Sequence, residues 1–446
     1  MDIVLTEDQQ KAYDNIINFI ERGDNDMALL AGQAGSGKST LCSLIVDYMV
    51  NHGLFGKIAL TATTNKAVKV AKAMCKDENK DRIDFSSLHS LLGLKHLITK
   101  DGKEIYKKDA KSPCKLSFYD LIIVDEASMV SDELFHEIEK QNFRGTKVLF
   151  VGDANQINPV NHTHAIPMLE EKRALYNISH FQLTQIVRQA AGNPIIKCSQ
   201  SILTDKFNFI PGQKELVDKT GVVMLNGDKQ ILNTLLRHYF CSEAFDKDAN
   251  HAKVIAWTNA TVDMFNSIIR NMKYGKCNKI VLGEKLIADK PIKDVANHNE
   301  DEIIFNTNED LVVLEINEQT KVLPEGTFQY YNCLVRGDED QEFWIHILHE
   351  KSERLYNITL QGLSNNAIKE VDIKKKINKW KVYYRFIEQF SAVNFNYAIT
   401  AHCGQGSTYE NSFIVYNDIM RNNRPDERKR ILYTAVTRPK KLLYIL

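Results

Sequence analysis

Apolar residues fall along this chain in two alternating patterns. Continuous runs at 27–31, 57–61, 121–124, 148–151, 254–257 and 442–445 have the form of short strands buried on both faces. Between several of them the apolar positions recur every three or four residues, as at Ala12, Ile16, Ile17 and Ile20 or across 40–50. This alternation predicts an α/β fold built on parallel sheets flanked by helices. Between about 279 and 396 the pattern changes to β-type runs at 281–287, 311–316, 328–335 and 343–348, which predicts an inserted small β-barrel. A basic helical stretch follows, with Lys374, Lys375, Lys376, Lys379 and Lys381. It reads either as a solvated face or, with Trp380, Tyr383, Tyr384 and Phe386 beside it, as a nucleic acid path. Segments 94–99 and 103–108 flank Asp101-Gly102, the dipeptide that most favours a tight hairpin, so a small projecting hairpin is expected to lean on its parent domain or on a ligand.

The stretch Gly32-Gln33-Ala34-Gly35-Ser36-Gly37-Lys38-Ser39 closes the first apolar run and opens the helical pattern at 40–50, which is the strand-to-helix context of a GxxxxGKS phosphate loop. Glycines let backbone N–H groups crowd round phosphates, Lys38 reaches the terminal ones, and Ser39 supplies a hydroxyl for Mg²⁺. About ninety residues on, the run 121–124 ends in Asp125-Glu126, where Asp125 would hold the cation and Glu126 would deprotonate the attacking water. Gln156, after the run 148–151, is placed to sense a γ-phosphate. No Asn-Lys-x-Asp base-recognition motif follows Asp125, which removes a GTPase reading. Thr6 and Gln9 have capping-box spacing, and Gln9 serves either that cap or an adenine edge beside the loop. Lys66, Lys69 and Lys72 share one helix face at the end of the run 57–61, suited to solvent or to a phosphate backbone. Arg188 and Arg438 are either surface residues or groups that reach ATP when a cleft closes.

Composition narrows the class without deciding the partner. The 446 residues suffice for about three domains, and 57 basic against 57 acidic residues leave any nucleic acid to local patches. The eight cysteines form no CxxC pair and read as reduced thiols, and neither a signal-like amino end nor a long apolar span is present, so a soluble, cytoplasmic protein without membrane contact is expected.

Taken together, these stretches resemble the superfamily-one DNA helicases of the 5′-to-3′ branch, in particular the RecD-like group and the Dda-like phage helicases. The likeness covers nearly the whole chain. Leu5-Thr6-x-x-Gln9 resembles the adenine-reading element, 62–67 and 87–91 the first DNA contacts, Asp125-Glu126-Ala127-Ser128-Met129 the Walker B box, and 152–160 the coupling motif. Residues 183–188 resemble the arginine-finger motif, and 400–407 and 433–438 the last two helicase motifs. The resemblance implies two RecA-like domains, one from 1–83 and 113–182 and the other from 183–278 and 397–446. A hairpin insertion at 84–112 would be a strand-separating pin, and a β-barrel insertion at 279–396 a clamp over DNA. It implies ATP held by Gln9, Gly32, Ala34, Gly35, Ser36, Gly37, Lys38, Ser39, Thr40 and Gly406, with Mg²⁺ on Ser39 and Asp125 and catalysis by Lys38, Glu126, Gln156, Arg188 and Arg438. Single-stranded DNA would touch Thr64, Asn65, Lys66, His89, Thr258, Asn259, Thr400 and His402. The implied partners are single-stranded and fork DNA, and a single-strand-binding protein, for an enzyme active as a monomer in the cytoplasm, a host's if the protein is viral. The family has Pro where this chain has Thr63 and Lys where it has Cys403, so the DNA contacts there are open. The alternative is a nucleic-acid-stimulated ATPase that remodels protein–nucleic acid complexes or acts on RNA.

Overall fold

The structure, a computed structural model, describes residues 4–52, 57–75, 77–98, 104–108, 112–142, 145–159, 164–185, 192–294 and 299–446. The first sheet is formed by β1 (Met27–Gly32), β2 (Ile58–Ala62), β3 (Ile83–Ser87), β6 (Leu121–Asp125), β7 (Lys147–Gly152) and β8 (Ile178–Leu183) in the order β3-β2-β6-β7-β1-β8. Every neighbouring pair is parallel. Successive side chains of a strand point to opposite faces, and both faces are covered. Ala28 and Leu30 pack with helices Glu7–Arg22 and Lys38–His52, whereas Leu29 and Ala31 pack with Phe135 and Ile138 of helix Asp132–Gln141. The continuous apolar runs therefore follow from two cores sharing one sheet.

β4 (Leu94–Ile98) and β5 (Glu104–Lys108) pair antiparallel, with Leu94 opposite Lys108. The Asp101-Gly102 turn lies outside the described residues. The hairpin leans on its parent through Tyr106, whose ring centroid is 4.3 Å from that of His89. Because β3 belongs to the first sheet, the insertion starts later than position 84.

A second sheet runs β19-β11-β20-β21-β10-β9, from β9 (Lys214–Val217), β10 (Thr220–Met224), β11 (Ala252–Ala256), β19 (Ala398–Thr400), β20 (Tyr409–Ile414) and β21 (Pro439–Ile445). It is parallel except for the edge strand β9. Ile255 faces helices Pro194–Leu203 and Pro425–Val436, and Val254 faces Lys229–Phe240 and Asn259–Tyr274.

Between β11 and β19 lie an antiparallel pair, β13 (Ile292–Asp294) with β14 (Asn299–Phe305), and an antiparallel sheet, β17-β16-β15-β12-β18, of β12 (Lys285–Ala288), β15 (Asp310–Leu323), β16 (Gly326–Arg336), β17 (Glu342–Leu348) and β18 (Val393–Phe395). Its edge strands β17 and β18 do not pair, so among the described residues the expected barrel is an open sheet by its hydrogen bonds. Helices Glu353–Ile368 and Ile373–Ile387 pack together beside it. Trp380 and Phe386 of the lysine-rich helix are buried, which leaves only Tyr383 and Tyr384 of that aromatic set partly accessible.

Candidate nucleotide site between two parallel sheets

β1 ends at Gly32 and the phosphate loop turns into helix Lys38–His52 through Gly35 and Gly37, at φ 80° and 83°. These are left-handed conformations that glycine adopts without a Cβ clash. The Lys38 ammonium donates to the carbonyls of Gly32 (2.7 Å) and Gln33 (3.2 Å), and the buried Ser36 hydroxyl has no partner. A ring of backbone at a helix start, a cation and an orphaned hydroxyl fits a phosphate chain. Ser39 and Thr40 are exposed on the first turn of that helix.

At the end of β6, the Asp125 carboxylate accepts from the Glu126 amide at 2.8 Å, and Glu126 sits at φ 51°, ψ 43°. A non-glycine residue held there is strained by about 1–3 kcal/mol, and such strain clusters at functional positions. Burial, then the Glu126 charge, push the Asp125 carboxyl up to about 6. A divalent cation against Asp125 would offset both effects, so the donor set fits Mg²⁺.

The second sheet completes the site. Gln405 Nε2 lies 3.3 Å from Glu126 Oε2, 3.1 Å from Ser128 Oγ and 3.2 Å from Gln156 Oε1. Next to it, Gly406 has φ 74°, where a side chain is strained, and a Cβ there would stand 3.1 Å from that of Ala67, tighter than ordinary contact. Helix Pro425–Val436 grips the loop after β7. Tyr433 donates to Asp153 (2.6 Å) and accepts from the Ala34 amide (3.0 Å), Thr434 accepts from the Ile157 amide (3.1 Å), and Arg430 donates to the carbonyls of Ala154 and Gln156. Sequence reasoning quoted Gln405, Tyr433 and Thr434 only within motifs and missed Arg430. Their partners lie more than 240 residues away, a separation that no local pattern encodes.

Gln9 and Arg438 have protein partners. Gln9 makes the capping box: its Oε1 accepts from the Thr6 amide, and its Nε2 donates to the Ser36 carbonyl in the phosphate loop. Arg438 is buried, and its guanidinium donates to the carbonyls of Thr434 and Ser407 and to the Thr437 hydroxyl, all within its own unit. Arg188 lies outside the described residues. Arg438→Ala is accordingly expected to lower the melting temperature, by the equivalent of about 1.5–3 kcal/mol for a lost charged hydrogen-bond donor. Unchanged stability with abolished turnover would instead place Arg438 in the catalytic set.

The residues expected at nucleic acid gather at the carboxyl ends of strands from both sheets: Thr64 and Asn65 after β2, His89 after β3, Thr258 and Asn259 after β11, and Thr400 and His402 at and beyond the end of β19. Several carry local work as well. Thr64 and Thr258 cap the helices that follow, Thr258 also donates to Asp418, and Thr400 accepts from the Cys403 amide. Burial holds His89 and His402 below the usual imidazole range. Lys66 departs from expectation, because its ammonium lies 3.2 Å from both carboxylate oxygens of Asp310 in the antiparallel sheet, while neighbouring Lys69 pairs with Glu309 and Asp338. Cys403 packs at the same junction, its thiol donating to Asn308 Oδ1 at 3.1 Å and pushed up to about 11, chiefly by burial. A neutral residue, part of the packing at this junction, thus occupies the position where the resemblance leads one to expect lysine. Among the described residues no group of three or more His, Cys, Asp or Glu side chains could hold a metal ion, and no helix is long and apolar enough to cross a membrane.

Residues 4–223 match the AAA domain family and residues 395–446 the UvrD-like helicase C-terminal domain. The chain is 26% identical over 455 residues to the ATP-dependent DNA helicase dda of Enterobacteria phage T4, covering 97% of each. It is also 26% identical over 493 residues to an uncharacterized protein of Acanthamoeba polyphaga mimivirus, covering 96% of this chain and 97% of that one. Among solved structures, Bacteroides Pif1 helicase in complex with ADP-AlF3 and single-stranded DNA shares the fold at a TM-score of 0.53 and 16% identity, over 99% of this chain and 92% of that one. With the phosphate loop, the Walker B carboxylates and the helicase motifs assembled between two parallel sheets, the chain is similar over nearly its whole length to a phage DNA helicase and carries matches to the AAA domain and the UvrD-like helicase C-terminal domain.

Proposed function

We propose that this protein is an ATP-dependent DNA helicase that translocates 5′ to 3′ on single-stranded DNA and separates the duplex ahead of it. The observation that carries this reading is the composite site: Glu126 and Gln156 of the first sheet meet Gln405 and Gly406 of the second, so the state of the nucleotide is felt by both units. Mg²⁺ held by Ser39 and Asp125 would supply charge neutralisation between the phosphates. Lys38 would exchange its two carbonyl partners for phosphate oxygens, and Glu126 would take the proton of the attacking water. Arg188 would complete the charge when the units close. Alternate closing and opening, with nucleic acid lying across the carboxyl ends of both sheets, moves the strand. In this reading the two parallel-sheet units are the motor domains, the hairpin β4–β5 is the pin, and the antiparallel sheet with its helical pair is the clamp.

The test is ATP turnover with single-stranded DNA, single-stranded RNA or neither, followed by unwinding of duplexes tailed at one end only. Stimulation by DNA and opening of 5′-tailed duplexes alone are expected. Removal of 97–106 is expected to spare single-strand ATPase and abolish unwinding. Opening of 3′-tailed duplexes would reverse the polarity, and stimulation without unwinding would favour the remodelling ATPase.

A further inference from the structure

Gln405 is 2% exposed, yet its carbonyl oxygen has no hydrogen-bond partner. Leaving a buried acceptor unsatisfied costs about 1–3 kcal/mol. Its amide nitrogen has the opposite surplus, with two hydrogens and three oxygens within 3.3 Å, on Glu126, Ser128 and Gln156. The direction of the amide follows from chemistry, because an ionised Glu126 only accepts, and turning the amide over would set two oxygens against each other. The loop that carries Gln405 is held at its backbone: the main-chain N–H of Gln405 donates to the His402 carbonyl at 3.3 Å, and a Cβ on Gly406 would stand 3.1 Å from that of Ala67. The Glu126 backbone is equally fixed in its left-handed conformation. One N–H from the second sheet's unit therefore lies within reach of one oxygen of Glu126, while the carbonyl oxygen of the same amide has no partner.

We propose that Gln405 delivers domain closure to the hydrolytic base, its N–H orienting Glu126 and its free carbonyl oxygen accepting a hydrogen from the attacking water. This rests on the reading of Glu126 as that base. In the step, the water oxygen bonds to the γ-phosphorus as the bridging P–O bond breaks. The bond's electron pair leaves with ADP, one water proton passes to Glu126, and the other stays on the inorganic phosphate. Held from two sides, the water is presented in line, and a water with only one acceptor is not. Because the two anchors sit on different sheets, opening of the cleft would switch hydrolysis off without displacing the nucleotide.

The experiment compares Gln405→Met and Gln405→Glu in the full chain by DNA-stimulated ATPase, binding of a fluorescent ADP, single-strand binding and melting temperature. Gln405→Met is expected to lower kcat about 100-fold, the lower end for loss of a positioned base, with KM for ATP and ADP affinity within about threefold. Gln405→Glu keeps the length and the acceptor but loses the N–H, and is expected to be no better. In a Glu126→Gln background, Gln405→Met is expected to cost less than a further threefold in single-turnover hydrolysis, since groups acting as one unit are not additive. A kcat within threefold of the parent in Gln405→Met, full activity in Gln405→Glu, additive losses in the double variant, or parallel loss of ADP affinity and melting temperature would each overturn the proposal. Normal turnover in Glu126→Gln alone would remove the assignment of the base itself, which is a distinguishable result.

Discussion

Glu126→Gln is expected to lower DNA-stimulated kcat by about 100- to 10,000-fold, the contribution of a positioned general base, while the nucleotide stays bound. The substitution is nearly isosteric and keeps an oxygen beside Gln405 Nε2, so the junction between the sheets survives while the group that takes the proton is lost. The Glu126 backbone at φ 51° is held by β6 and the short helical turn Ala127–Met129, not by the side chain, so a local collapse is not expected. Lys38→Ala separates from it in kind. With the ammonium gone from its place at 2.7 Å from the Gly32 carbonyl, the loop has no side-chain cation for the terminal phosphates, and both ATP affinity and turnover are expected to fall. Turnover by phosphate release and binding by fluorescent nucleotide, measured on both variants, separate the two roles. Near-parental turnover in either variant would remove that residue from the site.

Much of the fold was legible because it rests on local rules. A strand buried on both faces must be apolar throughout, and Ala28 and Leu30 supply one core while Leu29 and Ala31 supply the other. Glycines at positive φ mark the phosphate loop in sequence and structure alike. Other residues have protein partners, near and far in sequence, that no motif names. Gln9 is claimed by Thr6 on one side and by the Ser36 carbonyl on the other, and Arg438 is claimed by carbonyls of its own unit. Tyr433, invisible as a link, spans the two parallel-sheet units because Asp153 and Ala34 converge on one hydroxyl. The same holds for Lys66, whose helix-face spacing is compatible with solvent, a phosphate or a carboxylate. Only the approach of Asp310, 244 residues away, decides among them in this conformation.

Asp310→Asn is expected to lower stability more than any surface substitution, because Asp310 is the counter-charge for two lysines from different units. Lys66 reaches it from the first sheet, with both oxygens at 3.2 Å. Lys253 on β11 is fully buried, donates to the carbonyl and side-chain oxygens of Asn396, and is pulled down to about 7 by burial, against which the Asp310 charge acts. Despite its own burial, Asp310 is held below the usual carboxylate range by Lys66 and then Lys253. Removing one partner of a buried pair costs about 3–5 kcal/mol, since the other charge is left uncompensated. The sign of the pH dependence follows. A carboxyl whose folded pKa is depressed contributes fully above its unfolded value of 3.8 and loses that contribution as pH falls through the folded one, so the parent gives up the Asp310 contribution in acid and the variant has none to give up. Lys253 gives a slope of the same sign in a higher window: its folded pKa lies below its unfolded 10.5, so stability rises as pH climbs from about 7 toward 10.5. In the variant, the protonated Lys253 loses its opposing charge and its pKa falls further. The deficit against the parent is thus expected to be larger at pH 6 than at pH 9, where Lys253 is largely neutral in both proteins. Melting temperatures of parent and variant at those two pH values test it. An equal deficit at both would detach Lys253 from the cluster, and no deficit at either would mean that the Lys66–Asp310 pair does not hold the insertion to the first sheet in solution.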